Sequence, residues 1–292
     1  MFVIISIPAF NEEKTLPKVL KEIKQVMSKT NYNYKILVYD DGSRDKTSLV
    51  AKKEGVIVRR SERNRGLAET FKAELKECLD LKADVIVHTD ADGQYPAIYI
   101  PKLLKKFEEG YDLVLGSRFK KGSYSGSFMK KIGNIMFSRA ITSLTKLKIT
   151  DSTTGFRAFS ADVARDISYI NTFTYTQEQI IKSAKQKFKI GEIPITTRKT
   201  RESRLFKGPI HYAIKAWINI FRIYRDYDPL KFFGVWGLLF ILLAFLIGIY
   251  FVILHLTIGI AGHIGLFFLM VLFAFTGLQI LLFGFLADMM RK

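Results

Sequence analysis

Two hydropathy patterns divide the chain. In the first, short apolar runs that predict β-strands alternate with segments in which apolar residues recur at helical spacing, as Leu16, Val19 and Ile23 do. Because the predicted strands are nearly continuous runs of Val, Ile and Leu, both faces of the sheet must be covered, which indicates an α/β fold with a mostly parallel sheet flanked by helices. The predicted strands are FVIISIP, YKILVYD, GVIVRR, ADVIVHTD, DLVLGSR and IGEIPITTR.

Local signals add detail to this pattern. Asn11, directly after the first predicted strand, is a typical helix N-cap with acidic residues following it. The one cysteine, Cys78, is in step with Phe71 and Leu75 on a predicted helix, so we expect it in the core. No disulfide within the chain is available, which is consistent with a reducing compartment.

The second pattern is a tail without charge. From Phe232 to Ala287 there is no Asp, Glu, Lys or Arg, a length that is sufficient for two helical crossings of a membrane, at about 232–256 and 264–287. Such long uncharged runs argue against a helix pair buried in a soluble core. Basic residues flank both ends, so we predict an integral protein of the cell membrane whose catalytic domain and both termini are cytoplasmic. The flanking residues are Arg222, Arg225, Lys231, Arg291 and Lys292.

These patterns predict three parts of the chain. They are a cytoplasmic α/β domain over 1–207, an amphipathic juxtamembrane segment over 208–230 and a transmembrane hairpin over 231–292. The juxtamembrane segment interleaves aromatic and basic residues such as Trp217 and Arg225, which suits the headgroup layer. A lone two-helix hairpin packs more easily against a copy of itself, which favours a homo-oligomer.

Charge and missing motifs narrow the partners. The formal net charge of +18 favours anionic partners. Given the hairpin, we predict the membrane and a phosphorylated small molecule as partners, and no nucleic acid. The chain has neither G-x-x-x-x-G-K-[ST] nor a G-x-G-x-x-G that opens a helix after a strand, and it lacks paired Cys or His residues at zinc spacing. P-loop, dinucleotide and zinc-finger chemistries are therefore excluded.

The strongest chemical signal is HTDADGQYP, which follows the predicted strand ADVIV. It places Asp90 and Asp92 one residue apart, where their mutual repulsion is unfavourable without a cation. Carboxylates are preferred ligands of Mg²⁺ and Mn²⁺, and Gln94 can add an oxygen or orient a water. We therefore predict a Mg²⁺ or Mn²⁺ site that bridges a substrate diphosphate. A solvated acidic loop is the alternative, because D-x-D alone is a weak signal.

Other predicted strand ends are also polar, and ligands of open α/β sheets gather at the carboxyl ends of strands. Asp40 and Asp41 suit the hydroxyl and N–H groups of a nucleoside, and Phe10 suits stacking on a base. Gly42 allows a tight backbone approach there. Basic residues at similar places suit phosphates. They are Arg118, Lys130, Arg198, Lys199, Arg201 and Arg204.

Together these stretches resemble the family-2 inverting glycosyltransferases with a GT-A fold, in particular the branch that transfers a sugar from a nucleotide sugar to a polyprenyl or dolichyl phosphate. The matching stretches are IPAFNEE, VYDDGSRDKT, RNRGLAETF, TDADGQYP, LVLGSRF, DSTTGFRAFS and RESRL. They cover the soluble part nearly end to end and in order. Three positions depart from the pattern: Phe10 stands where a tyrosine is usual, Tyr95 where a histidine is frequent, and Arg204 where a lysine is frequent.

The resemblance implies a metal-dependent, inverting transfer, with a UDP-sugar favoured over GDP-mannose by analogy with two-span relatives. It implies that Asp90, Asp92 and Arg118 are catalytic and that Asp90, Asp92 and Gln94 hold the metal. The implied nucleotide contacts are Pro8, Phe10, Glu12, Asp40, Asp41, Asp90 and Ala91. The implied contacts to donor or acceptor phosphates are Arg118, Lys130, Arg201 and Arg204.

Three alternatives remain open. A processive polysaccharide synthase of the same family would carry a Q-x-x-R-W motif and more spans, and neither Trp217 nor Trp236 has that context. A nucleotidyltransferase can use an Asp-x-Asp metal site but gives the hairpin no role. A non-catalytic membrane scaffold that retains the nucleotide-binding fold would keep its role after Asp90→Ala.

Overall fold

The computed structural model describes residues 1–120, 128–167, 175–198, 218, 221–258 and 264–290. The chain divides into two compact units, Met1–Ile214 and Lys215–Lys292. The described strands of the first unit are β1 (Phe2–Ala9), β2 (Asn33–Asp40), β3 (Ile57–Arg60), β4 (Val85–His88), β5 (Leu113–Ser117), β6 (Arg157–Ser160) and β7 (Ile190–Pro194). Its described helices are α1 (Leu16–Met27), α2 (Thr47–Lys53), α3 (Leu67–Asp80), α4 (Ile100–Glu108), α5 (Phe128–Thr145), α6 (Ala161–Asp166) and α7 (Tyr175–Lys185), and a 3-10 turn spans Ala97–Tyr99.

The described strands form one sheet in the order β3-β2-β1-β4-β6-β5-β7. Every neighbouring pair is parallel except the two pairs that include β6, which is antiparallel to both β4 and β5. The predicted α/β fold with a mostly parallel sheet is therefore confirmed. The carboxyl ends of β1, β2, β4 and β5 all meet at one edge, which is where the polar loops begin.

Helices cover both faces of the central strand β1. Val3, Ile5 and Ile7 are fully buried in the same apolar cluster as the inner face of α1. The alternate residue Ser6 points the other way and donates a hydrogen bond to Glu74 of α3 over 2.9 Å. Cys78 of α3 is also fully buried, as its helical spacing predicted.

The structure differs from the sequence analysis at two places, and in both the cause is a contact with a distant part of the chain. The pattern missed β6, because RAFS is short and its first residue, Arg157, is fully buried although it is charged. The N-cap prediction at Asn11 is wrong, since α1 begins at Leu16 with Thr15 at the cap position. Asn11 instead takes a left-handed conformation with φ of 54°, and its side-chain oxygen accepts the Arg44 N–H over 2.9 Å.

Gly42 occupies the tightest turn in the loop after β2. Its φ is 71°, and a Cβ there would lie 2.6 Å from the carbonyl carbon of Arg63. We expect Gly42→Ala to lower the free energy of unfolding by about 3 kcal/mol, because a clash with backbone adds to the strain of a left-handed alanine. Gly55→Ala is the matched control, since its φ is 68° and it has no atom within 4 Å. Urea titration followed by circular dichroism in detergent measures both variants, and equal losses would contradict the clash.

The second unit contains α8 (Pro229–Ile258) and α9 (Ile264–Met289), which are long and apolar enough to cross a membrane. They form an antiparallel pair with closely spaced backbones. A Cβ at Gly237 would lie 2.9 Å from the carbonyl oxygen of Gly277, and one at Gly284 would lie 2.8 Å from the Cβ of Phe233. Small residues at such contacts are typical of helix pairs in membranes. Most of the predicted juxtamembrane segment, 208–230, lies outside the described residues.

Candidate active site

Asp90 and Asp92 lie in the loop that directly follows β4. The Gln94 N–H donates to Oδ1 of Asp92 over 2.9 Å and so orients that carboxylate. Asp90 lies close to the backbone at Gly155, where an added Cβ would be 3.3 Å from Oδ1 of Asp90. Burial and, next, the charge of Asp92 raise the pKa of Asp90 to about 7, although Arg118 acts in the opposite direction. The pair therefore holds negative charge that the surrounding protein compensates only in part.

This donor set fits a hard divalent cation. A cation would offset the repulsion that raises the pKa of Asp90. Within the described ranges, no cluster of three or more His, Cys, Asp and Glu side chains is placed to hold a metal ion. The protein would therefore supply the carboxylates of Asp90 and Asp92, with Gln94 as the further ligand that the sequence predicts, and leave the remaining positions to water and substrate phosphates, as is usual for Mg²⁺.

Arg118 follows β5 and is oriented by Asp151. Its Nε and Nη2 atoms donate to the two carboxylate oxygens of Asp151 over 2.7 and 2.9 Å, and Nη2 also lies 2.8 Å from the hydroxyl of Thr153. Asp151 is fully buried. Such a bidentate pair fixes the plane of a guanidinium. Its positive charge is therefore held near Asp90, whose pKa it lowers.

The segment between α5 and β6 contains site residues that the sequence analysis left without a role. Glu192 of β7 accepts the N–H groups of Thr150 and Asp151 over 2.9 and 3.1 Å, which holds this segment against the sheet. The buried Arg157 donates to the side chain of Gln179 over 2.8 Å and to the carbonyl of Thr154. The sequence analysis named the DSTTGFRAFS stretch only as one that matches the family pattern, and this polar run has neither strand nor helix periodicity.

Tyr95, one of the departures from the family pattern, supports the same segment. Its ring stacks on Phe156 with centroids 5.3 Å apart and an interplanar angle of 16°. Its hydroxyl oxygen accepts the Gly155 N–H over 3.3 Å. Burial raises the pKa of Tyr95 to about 12, so the side chain is neutral. It links the Asp90 loop to the segment that carries Asp151.

Asp40 and Asp41 are both engaged by neighbouring loops. Asp40 is fully buried; its Oδ1 accepts the Ser43 N–H over 2.8 Å, and its Oδ2 accepts the Ser48 hydroxyl. Asp41 accepts the N–H groups of Arg65 and Gly66 over 2.9 and 3.1 Å. The two carboxylates thus hold together the loops that follow β2 and β3. The close backbone approach at Gly42 is made by residues 63–64 of the chain itself.

Some of the remaining predicted site residues are described by the structure, and the others lie outside its described part. Glu12 is buried, accepts the Thr15 hydroxyl over 2.7 Å, and lies near enough to Asp90 to raise its pKa. Pro8 and Phe10 are partly exposed at the end of β1, and Ala91 is buried. The side chain of Lys130, on α5, lies outside the described part, as do the whole residues Lys199, Arg201 and Arg204.

Behind the acidic loop, Glu74 and His88 form a buried pair. Nδ1 of His88 lies 3.5 Å from Oε2 of Glu74, and both side chains are 1% exposed. Burial raises the pKa of Glu74 well above its usual 4.5. Burial and, next, Arg157 lower the pKa of His88 to about 3. Burial therefore disfavours the charged form of both side chains.

This buried pair predicts opposite pH effects for its two members. His88 contributes stability that is present above pH 6.5 and is lost as the pH falls, whereas Glu74 contributes stability that is present below pH 4.5 and is lost as the pH rises. Relative to the wild type, the unfolding free energy of Glu74→Gln should rise as the pH increases above 4.5, and that of His88→Gln should fall as the pH increases toward 6.5. Each slope should be about 1.4 kcal/mol per pH unit.

Urea titrations in EDTA over this range measure both slopes. Glu62→Gln is the control for the loss of a carboxylate, because Glu62 is exposed. Flat differences for both pair variants would contradict the effect of burial on the two pKa values.

The fold and this acidic edge define a glycosyltransferase of the GT-A type. A solved structure of glucosyl-3-phosphoglycerate synthase from Mycobacterium tuberculosis with Mn²⁺, uridine diphosphate and phosphoglyceric acid has a TM-score of 0.61. It is 18% identical and covers 76% of this chain and 77% of its own, a likeness that shows the fold.

Residues 4–168 match the family described as Glycosyl transferase family 2, and the chain belongs to this family. It is 38% identical over 207 residues to an uncharacterised protein of Methanocaldococcus jannaschii, covering 69% of this chain and 83% of the relative. It is 32% identical over 221 residues to the UDP-N-acetylglucosamine–dolichyl-phosphate N-acetylglucosaminyltransferase of Methanococcus voltae, covering 68% of this chain and 86% of the relative. The family indicated by the sequence motifs is confirmed.

Proposed function

We propose that the chain transfers a sugar from a nucleotide sugar, with a UDP-sugar favoured over GDP-mannose, to the phosphate of a polyprenyl or dolichyl phosphate. The observation that carries the proposal is the meeting of Asp90, Asp92 and Arg118 at the carboxyl ends of β4 and β5. The two apolar helices support a lipid acceptor. The relative from Methanococcus voltae supports both substrate classes, since it is named for a UDP-sugar and dolichyl phosphate.

In this reaction, a phosphate oxygen of the acceptor forms a bond to the anomeric carbon while the bond to the donor diphosphate breaks, which inverts the anomeric configuration. The acceptor is already anionic near neutral pH, so no strong general base is required. A bound Mg²⁺ or Mn²⁺, held by Asp90, Asp92 and Gln94, would stabilise the negative charge of the departing diphosphate. Arg118 adds positive charge at the same edge, and Asp151 keeps it in place.

The nucleoside and phosphate contacts are assigned from the positions that match the family motifs. The nucleoside is proposed to lie at the ends of β1 and β2, with the donor and lipid phosphates on the basic residues. In this proposal, 1–207 and both termini are cytoplasmic and 231–292 is the membrane hairpin. The nucleoside contacts are Pro8, Phe10, Glu12, Asp40, Asp41 and Ala91, and the phosphate contacts are Arg118, Lys130, Arg201 and Arg204.

The test uses the full chain in detergent with labelled UDP-glucose, UDP-N-acetylglucosamine, UDP-galactose or GDP-mannose and a polyprenyl phosphate. We expect one donor to yield a lipid-linked sugar phosphate that is inverted at the anomeric carbon, with Mg²⁺ or Mn²⁺ required and EDTA abolishing transfer. Absence of metal-dependent transfer to lipid from every donor would contradict the proposal. Transfer to phosphoglyceric acid in place of the lipid would contradict the assigned acceptor.

A further inference from the structure

The segment that follows β7 is attached to the loop of the acidic pair. The Arg198 N–H donates to the Gln94 carbonyl over 2.9 Å, and the hydroxyls of Thr196 and Tyr99 lie 2.7 Å apart. The Thr196 N–H also donates to the Tyr99 hydroxyl, over 3.2 Å. Residues 196–198 therefore lie along the loop that contains Asp92 and Gln94.

An ion pair to α1 holds this attachment in place. Nη1 and Nη2 of Arg198 donate to the two carboxylate oxygens of Glu22 over 2.6 and 2.9 Å. Oε1 of Glu22 also accepts the Ala97 N–H over 3.0 Å, so Glu22 holds the far end of the same loop. The hydrogen bond from Arg198 is the main cause that lowers the pKa of Glu22. A Cβ at Gly93 would lie 3.5 Å from Val19, so α1 also contacts the loop directly.

The backbone of Gln94 connects Arg198 to the Asp92 carboxylate by two hydrogen bonds. Its carbonyl oxygen accepts the main-chain N–H of Arg198, and its own N–H donates to the Asp92 carboxylate. A shift of the Gln94 backbone would therefore turn the Asp92 carboxylate. Removing a residue that orients a metal ligand in this way commonly weakens metal binding about 10- to 100-fold.

We propose that the Glu22–Arg198 ion pair is a positioning clasp for the Asp92 carboxylate, so that Arg198 acts through Gln94 and does not bind phosphate. This inference rests on the proposed function, because it takes Asp92 as a ligand of the divalent cation. It replaces the role suggested by the RKTRESR composition, in which Arg198 was one of several phosphate ligands. The replacement follows from the structure, because both carboxylate oxygens of Glu22 engage its guanidinium.

The clasp is suited to mutagenesis because its side chains are partly exposed, 47% for Arg198 and 22% for Glu22. Such pairs contribute little to global stability, so the variants should fold. The experiment measures the Kd of Mn²⁺ alone by electron paramagnetic resonance, on the full chain in detergent. Arg198→Gln and Glu22→Gln should each weaken Mn²⁺ binding about 10-fold or more, and the double variant should be no weaker than either single variant. The exchanged pair Glu22→Arg/Arg198→Glu should recover part of the affinity.

Arg165→Gln is the matched control. Arg165 makes a more exposed ion pair with Asp162 on α6, at the opposite edge of the sheet from Asp92, and its loss should leave Mn²⁺ binding unchanged. Unchanged Mn²⁺ affinity in both clasp variants, or an equal loss in Arg165→Gln, would overturn the proposal.

Two further measurements separate the clasp from its rivals. If Arg198 bound phosphate, Glu22→Gln would release it and tighten the binding of uridine diphosphate measured without metal. The clasp predicts no tightening, and tightening would overturn it.

Asp92→Asn separates the clasp from the metal site of the proposed function. If it abolishes Mn²⁺ binding while Arg198→Gln leaves the Kd of Mn²⁺ unchanged, only the clasp fails. If Asp92→Asn also leaves Mn²⁺ binding unchanged, the metal site of the proposed function fails and the clasp fails with it.

Discussion

Asp90→Asn is expected to lower the rate of sugar transfer by about 100- to 1,000-fold, the scale of losing one preorganised electrostatic contact in an active site. The replacement keeps the shape of the side chain and removes the negative charge beside Asp92. Labelled-donor transfer to polyprenyl phosphate measures the loss. Asp80→Asn is the control, because Asp80 is exposed at the end of α3 and its replacement makes the same change in charge.

The same variant should be more stable than the wild type when metal is removed. The pKa of Asp90 is raised from 3.8 to about 7, so in EDTA its stability contribution is present below pH 3.8 and is lost as the pH rises through 7. The advantage of Asp90→Asn should grow between about pH 4 and 7 and then stay constant, at about 2 kcal/mol after allowance for partial exposure. Added Mn²⁺ should stabilise the wild type and leave the variant unchanged. A variant that is less stable than the wild type in EDTA at pH 8 would contradict the charge repulsion.

Asp151→Ala is expected to lower the free energy of unfolding by about 3–5 kcal/mol, because it leaves Arg118 without its bidentate partner in a mostly buried position. The side chain of Arg118 is only 14% exposed, and that of Asp151 is 0% exposed. Transfer activity should fall as well, since the guanidinium is no longer held near Asp90. Urea titration and the transfer assay measure the two effects.

Two variants separate this cause from a general loss of packing. Asp162→Ala breaks an ion pair whose partners are 61% and 69% exposed, so little stability should be lost. The double variant Arg118→Leu/Asp151→Leu removes both charges, and it should be more stable than Asp151→Ala while remaining inactive. A double variant less stable than Asp151→Ala would show that the unpaired charge is not the cause.

Much of the fold was predictable from local pattern. The six predicted strands are present, because buried parallel strands are continuous apolar runs that can be recognised over a few residues. The long apolar helices cover the predicted spans for the same reason. β6 was missed because its place between β4 and β5 depends on pairing across the sheet and not on its own four residues.

The acidic pair was found because two carboxylates after a buried strand are unfavourable unless they bind a cation, and this reasoning needs only residue types and spacing. Asp151 was named only as part of the family-matching stretch DSTTGFRAFS and was given no role, since its residue type and spacing do not show that it pairs with Arg118. Arg198 was grouped with phosphate ligands because composition shows charge but not the partner of that charge.

The sequence by itself determined six of the seven described strands, the two apolar spans, and the presence of Asp90 and Asp92 after β4. These features follow from hydropathy and spacing over short stretches of chain. Only the tertiary structure decided which charges are paired. Arg118 and Asp151 are 33 residues apart in sequence, and Glu22 and Arg198 are 176 apart. Such partners are selected by the folding of the whole domain, which brings together side chains that no local pattern connects.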